Sequence, residues 1–291
     1  MLGRLITAMA TPFHADGGLD LDGARRLASH LVGTGTETVL VNGTTGESPT
    51  LTHDEQLDLL RAVRDEVGGR ASVMVGTGTF DTAKTCALTE EVTAIGADAV
   101  LVVTPYYNRP SQRGLLRHFR DVAGSTDLPI ILYDIPSRTA REIEVETLVE
   151  LAQVGNIVGL KDAAGDLAKT AEVVARTPED FVVYCGDDAL TLPFLAVGAV
   201  GVVSVASHLA GNEIADMLAV FDQDPTKARE LHQRLLPLAR ALFLEPSPAP
   251  LKGALNAVGL PAGPVRAPLA DALPETVRAV LDALEVVRPG R

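Results

Sequence analysis

Cysteine, positive charge and long apolar runs are all scarce in this 291-residue chain. Cys86 and Cys185 are its only cysteines and lie far apart. They form neither a disulfide framework nor a close-spaced metal motif, and a reducing cytoplasm is the expected setting. Lys and Arg total 25 against 38 Asp and Glu, a formal net charge of −13. So acidic a surface disfavours nucleic acid and anionic membranes as partners. The longest apolar stretch, Leu195 to Ala206, is too short to span a bilayer and is divided by Gly198 and Gly201. The end of a helix followed by a strand fits it better. The segment Met1 to Phe13 holds too short an apolar run for a signal peptide and lacks a cleavage site. His14, His30, His53, His118, His208 and His232 are scattered without the paired spacing of metal ligands. Neither a metal nor a cofactor is expected.

What the chain does have is apolar content, 46%, enough for a large core, and a recurring order. A short β-branched run leads into a glycine or polar loop and then a helical pattern. Eight such runs read as strands: Leu5–Ala10, Thr38–Val41, Ser72–Val75, Ala99–Val103, Ile130–Tyr133, Ile157–Leu160, Phe181–Tyr184 and Val200–Val203. Between them, Leu21, Ala24, Leu27, Ala28 and Leu31 share one helical face. Thr52 followed by Glu55 reads as a capping box, and Asp81, Ser111 and Asp166 read as N-caps. Eight alternating units imply an α/β fold, a closed (β/α)8 TIM barrel. An open doubly wound sheet would want a GxGxxG turn after the first strand, and none is there. After Ser204 the strand signals stop. Residues 1–208 are therefore expected to form the barrel core. Residues 209–291 are expected to form a helical C-terminal region that includes the last barrel helix.

Catalytic groups in such a barrel stand at the C-terminal ends of the strands. Lys161 directly continues the apolar run Ile157–Leu160, whereas Lys84, Lys169, Lys227 and Lys252 fall in helical or polar contexts. It is either a strand-end lysine reaching solvent or an amine held inside the barrel mouth. Removing an amine from water favours its neutral form, which can attack a ketone and give an imine. Tyr133 stands one strand away at the same level, placed to move protons if Thr44, Thr45 and Tyr107 relay them. The alternative for a tyrosine is core packing. Three of the four tyrosines, Tyr106, Tyr107 and Tyr133, nevertheless fall at this one barrel end. The Gly43-Thr-Thr-Gly46 loop can turn backbone N–H groups toward a small carboxylate, or be an ordinary tight turn. Arg138, after a stiffening proline, can clamp a second carboxylate or form a rim ion pair. Asp187 and Asp188 could hold a magnesium ion, but they read better as caps of the following helix.

Together, Gly43-Thr-Thr-Gly-Glu47, Thr104-Pro-Tyr-Tyr-Asn108, Tyr133-Asp-Ile-Pro-Ser-Arg-Thr139, Gly159-Leu-Lys-Asp162, Gly186-Asp-Asp188 and Glu245-Pro-Ser-Pro248 resemble one family. It is the 4-hydroxy-tetrahydrodipicolinate (dihydrodipicolinate) synthases, within the pyruvate-dependent lyases. The resemblance implies condensation of pyruvate with L-aspartate 4-semialdehyde in the diaminopimelate route to lysine. It implies that Lys161 forms a Schiff base with pyruvate and that Tyr133 is the acid/base. Thr44 and Thr45 would bind the pyruvate carboxylate, with Thr44 linking the tyrosines. Tyr107 would complete the relay in a neighbouring subunit, which makes the enzyme a homo-oligomer, a dimer or a dimer of dimers. Arg138 would receive the carboxylate of the semialdehyde, and Gly186 and Val203 would line the pocket.

Asp134, Ala140 and Asp162 stand where the family more often has asparagine, glycine and glutamate. The nearest rival function is another pyruvate aldolase, for N-acetylneuraminate or a 2-keto-3-deoxy sugar acid, and Arg138 argues against it. A non-catalytic carboxylate sensor is a rival of another class, and the intact set of Lys161, Tyr133 and Thr44 argues against that. The resemblance also bears on feedback by lysine. Sensitive relatives bind it near the positions of Ser48, His53, Gln56, Phe80, Lys84 and Tyr106, with glutamate where Lys84 stands. Weak or absent inhibition is expected here.

Overall fold

A computed structural model of the protein describes residues 2–288. The eight expected strands are present: β1 (Leu5–Ala8), β2 (Thr38–Val41), β3 (Ser72–Gly76), β4 (Ala99–Val103), β5 (Ile130–Asp134), β6 (Ile157–Asp162), β7 (Val182–Cys185) and β8 (Gly201–Ser204). They close into a barrel in chain order, with parallel pairing in every resolved register. This is the (β/α)8 fold. Val, Ile and Leu are the commonest strand residues, 21 of 37, as suits strands buried on both faces.

By internal contacts the chain divides into two units. One comprises the residues up to Val73 together with those from Ser204 onward; the other is Met74–Val203. In the first unit, helix Leu21–Gly33 buries Ala24, Leu27, Ala28 and Leu31, the face expected from their spacing. Each large aliphatic side chain so buried contributes roughly 1.5–3 kcal/mol. Helix His53–Val67 opens on the expected capping box, in which Thr52 and Glu55 satisfy each other's backbone N–H groups. Helices Ser207–Val220, Pro225–Ala241, Ala249–Ala257 and Pro274–Val287 follow the barrel strands, as the sequence indicates.

In the second unit, Asp81, Ser111 and Asp166 accept hydrogen bonds from the first turns of helices Thr82–Ile95, Gln112–Ala123 and Leu167–Arg176. Asp187 caps the short turn at Asp188–Leu190. The apolar stretch from Leu195 is, as expected, a helix end, Thr191–Ala196, and then β8. Among the described residues no helix is long and apolar enough to cross a membrane.

Candidate active site

Parallel register places Val103, Tyr133, Lys161 and Tyr184 on one continuous rung across β4, β5, β6 and β7. Residues on one rung project to the same face. Tyr133 and Lys161 are therefore neighbours, with the Lys161 amine 4.0 Å from the centre of the Tyr133 ring. Both are almost wholly buried. On the other side of β6, residue 159 is glycine where the strand lies against β7: a Cβ there would strike the Val182 carbonyl. The Tyr133 carbonyl accepts hydrogen bonds from both the backbone N–H and the hydroxyl of Thr104, at 2.9 and 3.0 Å. The end of β5 is thereby fixed while the Tyr133 hydroxyl has no partner among the described residues.

Three lysines are buried: Lys161, Lys169 and Lys252. In the sequence the last two fall in helical or polar contexts. They are on helices, but both point inward, each onto a carboxylate. Lys169 donates to Asp134 and Glu142, at 2.7 Å in each case. Lys252 donates to Glu47 at 2.8 Å. Lys161 alone among them has no carboxylate partner among the described residues. A buried amine without a counter-ion is what imine formation requires.

A second layer lies behind the rung. Asp134 and Asp162 pair across β5 and β6, one residue beyond Tyr133 and Lys161, and so face the opposite way. Helix Leu167–Arg176 engages both. Lys169 reaches Asp134, and the next residue, Thr170, donates to Asp162 at 2.7 Å. Burial pushes the Asp134 carboxyl up to about 6, against the pull of Lys169. Burial opposes charge on Lys169 too, but its two carboxylate partners raise its pKa. Lys169→Met should therefore destabilise the fold by about 3–5 kcal/mol, because it strands a buried carboxylate. Adding Asp134→Asn should restore most of that loss. Urea unfolding at pH 7 measures both, and equal stability of the single and double variants would contradict the pairing.

Gly186 and Val203 each lie one residue beyond the paired ends of β7 and β8, Cys185 and Val202. Gly186 donates to the Asp162 carbonyl at 2.7 Å, and a Cβ there would come within 2.8 Å of the Ala163 side chain. Arg138 lies on the short helix Pro136–Thr139 that follows β5. Its guanidinium is exposed and has no acidic partner among the described residues. Tyr107 differs from the rest. It is 90% exposed and held in the left-handed backbone region at φ 67°. Within this single chain it is not brought to Tyr133.

Thr44 and Thr45 occupy the loop after β2, in the first unit. Two successive turns shape it: Gly46 N–H donates to the Gly43 carbonyl, and Glu47 N–H to that of Thr44. The left-handed backbone of Asn42 and Glu47 brackets the turns. Among the described residues, nothing engages the hydroxyls or amide N–H groups of Thr44 and Thr45. They are available to a small anion.

The sequence profile of the dihydrodipicolinate synthetase family matches residues 1–286. The chain belongs to that family. A 4-hydroxy-tetrahydrodipicolinate synthase of Moorella thermoacetica is 51% identical over 284 residues, with 97% of each chain covered. Among solved structures, a dihydrodipicolinate synthase of Bacillus anthracis is 45% identical at a TM-score of 0.95, with 98% of each chain covered. That of Cyanidioschyzon merolae, solved with lysine bound, is 42% identical at a TM-score of 0.96, with the same coverage. Within a dihydrodipicolinate synthetase fold the Lys161–Tyr133 rung stands at the strand ends, where (β/α)8 enzymes carry out their chemistry.

Proposed function

We propose that the chain condenses pyruvate with L-aspartate 4-semialdehyde, the 4-hydroxy-tetrahydrodipicolinate synthase reaction of the diaminopimelate route to lysine. The observation that carries this reading is Lys161: the buried lysine without a carboxylate partner among the described residues, 4.0 Å from the Tyr133 ring, in a chain of this family. Its amine attacks C2 of pyruvate, and the carbinolamine loses water to give the imine. Tyr133 donates the proton that lets hydroxide leave as water, then receives one of the protons at C3. The resulting enamine carbon attacks the aldehyde carbon of the second substrate. The amino group of that substrate then closes the ring onto the imine carbon and releases Lys161. Thr44 and Thr45 hold the pyruvate carboxylate, Arg138 holds that of the semialdehyde, and Gly186 and Val203 line the pocket.

The test is a coupled assay with pyruvate and aspartate semialdehyde, run beside N-acetylneuraminate and 2-keto-3-deoxy sugar acids. Turnover of the first pair alone is expected. Preference for a sugar acid would replace this reading with that of another pyruvate aldolase.

Arg138 reads the second substrate. Losing a bidentate, charge-assisted contact costs about 1.5–3 kcal/mol, so Arg138→Ala should raise the Michaelis constant for the semialdehyde roughly ten- to a hundredfold. That for pyruvate should stay near its original value. Equal effects on both would mean that Arg138 supports the site without reading a substrate.

The active unit is a homo-oligomer, at least a dimer. Tyr107 supports this: an aromatic side chain 90% exposed on a left-handed backbone is poorly used by a lone chain and well used inside a partner's site. The compartment is the cytoplasm, in keeping with Cys86 and Cys185 as free thiols.

Inhibition by lysine is weak or absent. Lys84 is exposed on helix Thr82–Ile95, with its backbone N–H bonded to Asp81. The Phe80 and Tyr106 rings meet edge to face at 5.5 Å, and Gln56 donates to the Ser48 carbonyl. An ammonium at position 84 repels that of the inhibitor by on the order of 1 kcal/mol in water. Loss of the acidic partner forfeits a further charge-assisted contact of about 1.5–3 kcal/mol. A rate assay at millimolar lysine should show little change, and half-inhibition below about a millimolar would overturn this role for Lys84.

A further inference from the structure

The turn that carries Thr44 and Thr45 ends in Glu47, a glutamate in the left-handed region at φ 55° and only 3% exposed. Both of its carboxylate oxygens are engaged, and both partners come from the far end of the chain. Oε1 accepts from the Lys252 amine at 2.8 Å, and Oε2 from the backbone N–H of Arg266 at 2.8 Å. Lys252 is 1% exposed. Its amine also donates to the carbonyls of Thr11 and Pro264, at 3.0 and 2.6 Å, and lies 4.2 Å from the centre of the Phe13 ring. Thr11 in turn donates its hydroxyl to the Gly46 carbonyl at 2.6 Å. The Arg266 side chain grips Glu55 with two nitrogens, at 2.6 and 2.8 Å, and the Thr50 and Gly17 carbonyls besides.

The turn is thus held at residue 47 by charged contacts and at residue 46 by the Thr11 hydroxyl, while nothing among the described residues engages the hydroxyls or amide N–H groups of the threonines between its glycines. A buried ion pair adds little net stability over an apolar pair of the same volume. What it adds is a fixed position, since each carboxylate oxygen and each ammonium proton has one geometry that satisfies it. The Glu47 carboxylate is also the sole acidic partner of Lys252 among the described residues. Moving the turn would leave an ammonium buried without a counter-ion.

We propose that Glu47 and Lys252, together with the main chain at Arg266, are positioning residues that hold Thr44 and Thr45 in the geometry that captures the carboxylate of pyruvate. The C-terminal helical region thereby takes part in binding the first substrate. The inference rests on the reading that these threonines receive that carboxylate.

Glu47→Gln keeps the shape of the side chain and removes its charge. It should raise the Michaelis constant for pyruvate about tenfold or more, as expected when a binding loop shifts by a fraction of an ångström. The constant for the semialdehyde should change less than about twofold, because only pyruvate meets this loop. Lys252→Met should act in the same direction, and combining the two should cost less than the sum, since both break one contact. A merely structural pair would lower thermal stability and leave the pyruvate constant unmoved. Thr45→Val is the control. If it raises the pyruvate constant and a folded Glu47→Gln does not, the positioning role is overturned and the threonine reading stands. If Thr45→Val leaves pyruvate binding unchanged, that reading fails and the positioning role fails with it.

Should the Glu47 and Lys252 variants not fold, hydrogen exchange on the unaltered enzyme decides. Saturating pyruvate should slow exchange at the amides of Thr44 and Thr45 and also at that of Arg266, which bonds Glu47 directly. Protection of the threonines without any at Arg266 would overturn the proposal.

Discussion

Lys161→Ala should abolish turnover, with a loss on the order of 10³-fold or more, while leaving a folded protein. The reaction passes through a covalent bond to an amine, and no other side chain can replace it. Lys169 and Lys252 are buried but locked onto Asp134 and Glu47. Lys84 and Lys227 are exposed on helices. The fold should tolerate the change, because among the described residues Lys161 has no ion pair to lose and its removal strands no buried carboxylate. Circular dichroism and the coupled assay read the two halves of this expectation. Turnover within about tenfold of the parent would mean that the amine is not the nucleophile.

Tyr133→Phe should slow turnover by about 10²–10⁴-fold, the range expected for losing a general acid/base. The proposed mechanism uses its hydroxyl in two steps: departure of water from the carbinolamine and removal of a proton from C3. Its ring would remain beside the Lys161 amine, so packing is preserved and the imine can still form, slowly. The hydroxyl has no hydrogen-bond partner among the described residues, so deleting it leaves no buried group unsatisfied and stability should hardly change. Single-turnover measurements should find the deficit in imine formation and deprotonation. A variant within a few-fold of the parent would contradict the proton-transfer role.

Strand and helix positions were legible in the sequence because each carries a local signal: β-branched runs for the strands, and Asp, Ser or Thr at the helix caps. Strand ends were less so. β5 and β6 extend through Asp134 and Asp162 because the parallel ladder continues past the apolar run, pairing Tyr133 with Lys161 and Asp134 with Asp162. Hydrophobicity stops one or two residues sooner. Lys161 could be singled out because it directly continues an apolar strand. Lys169 and Lys252 could not, since their partners lie 35 and 205 residues away. One signal was present and subtle: Lys169 lies one turn before the buried Val173, and Lys252 sits beside Leu251 and three residues before Leu255, so both occupy the apolar faces of their helices. The charged contacts beneath Thr44 and Thr45 were illegible for the same reason, because Glu47 meets residues that fold back from the C-terminal region. Tyr107 follows β4, but neither its exposure nor its left-handed backbone has a sequence signature.

Reductive trapping tests directly whether Lys161 bonds covalently to pyruvate. The enzyme is incubated with pyruvate, treated with borohydride, digested and mapped by mass spectrometry. One reduced pyruvyl adduct per chain is expected, on the peptide containing Lys161, and none without pyruvate. An adduct on any other lysine, or no adduct in enzyme that turns over, would contradict it.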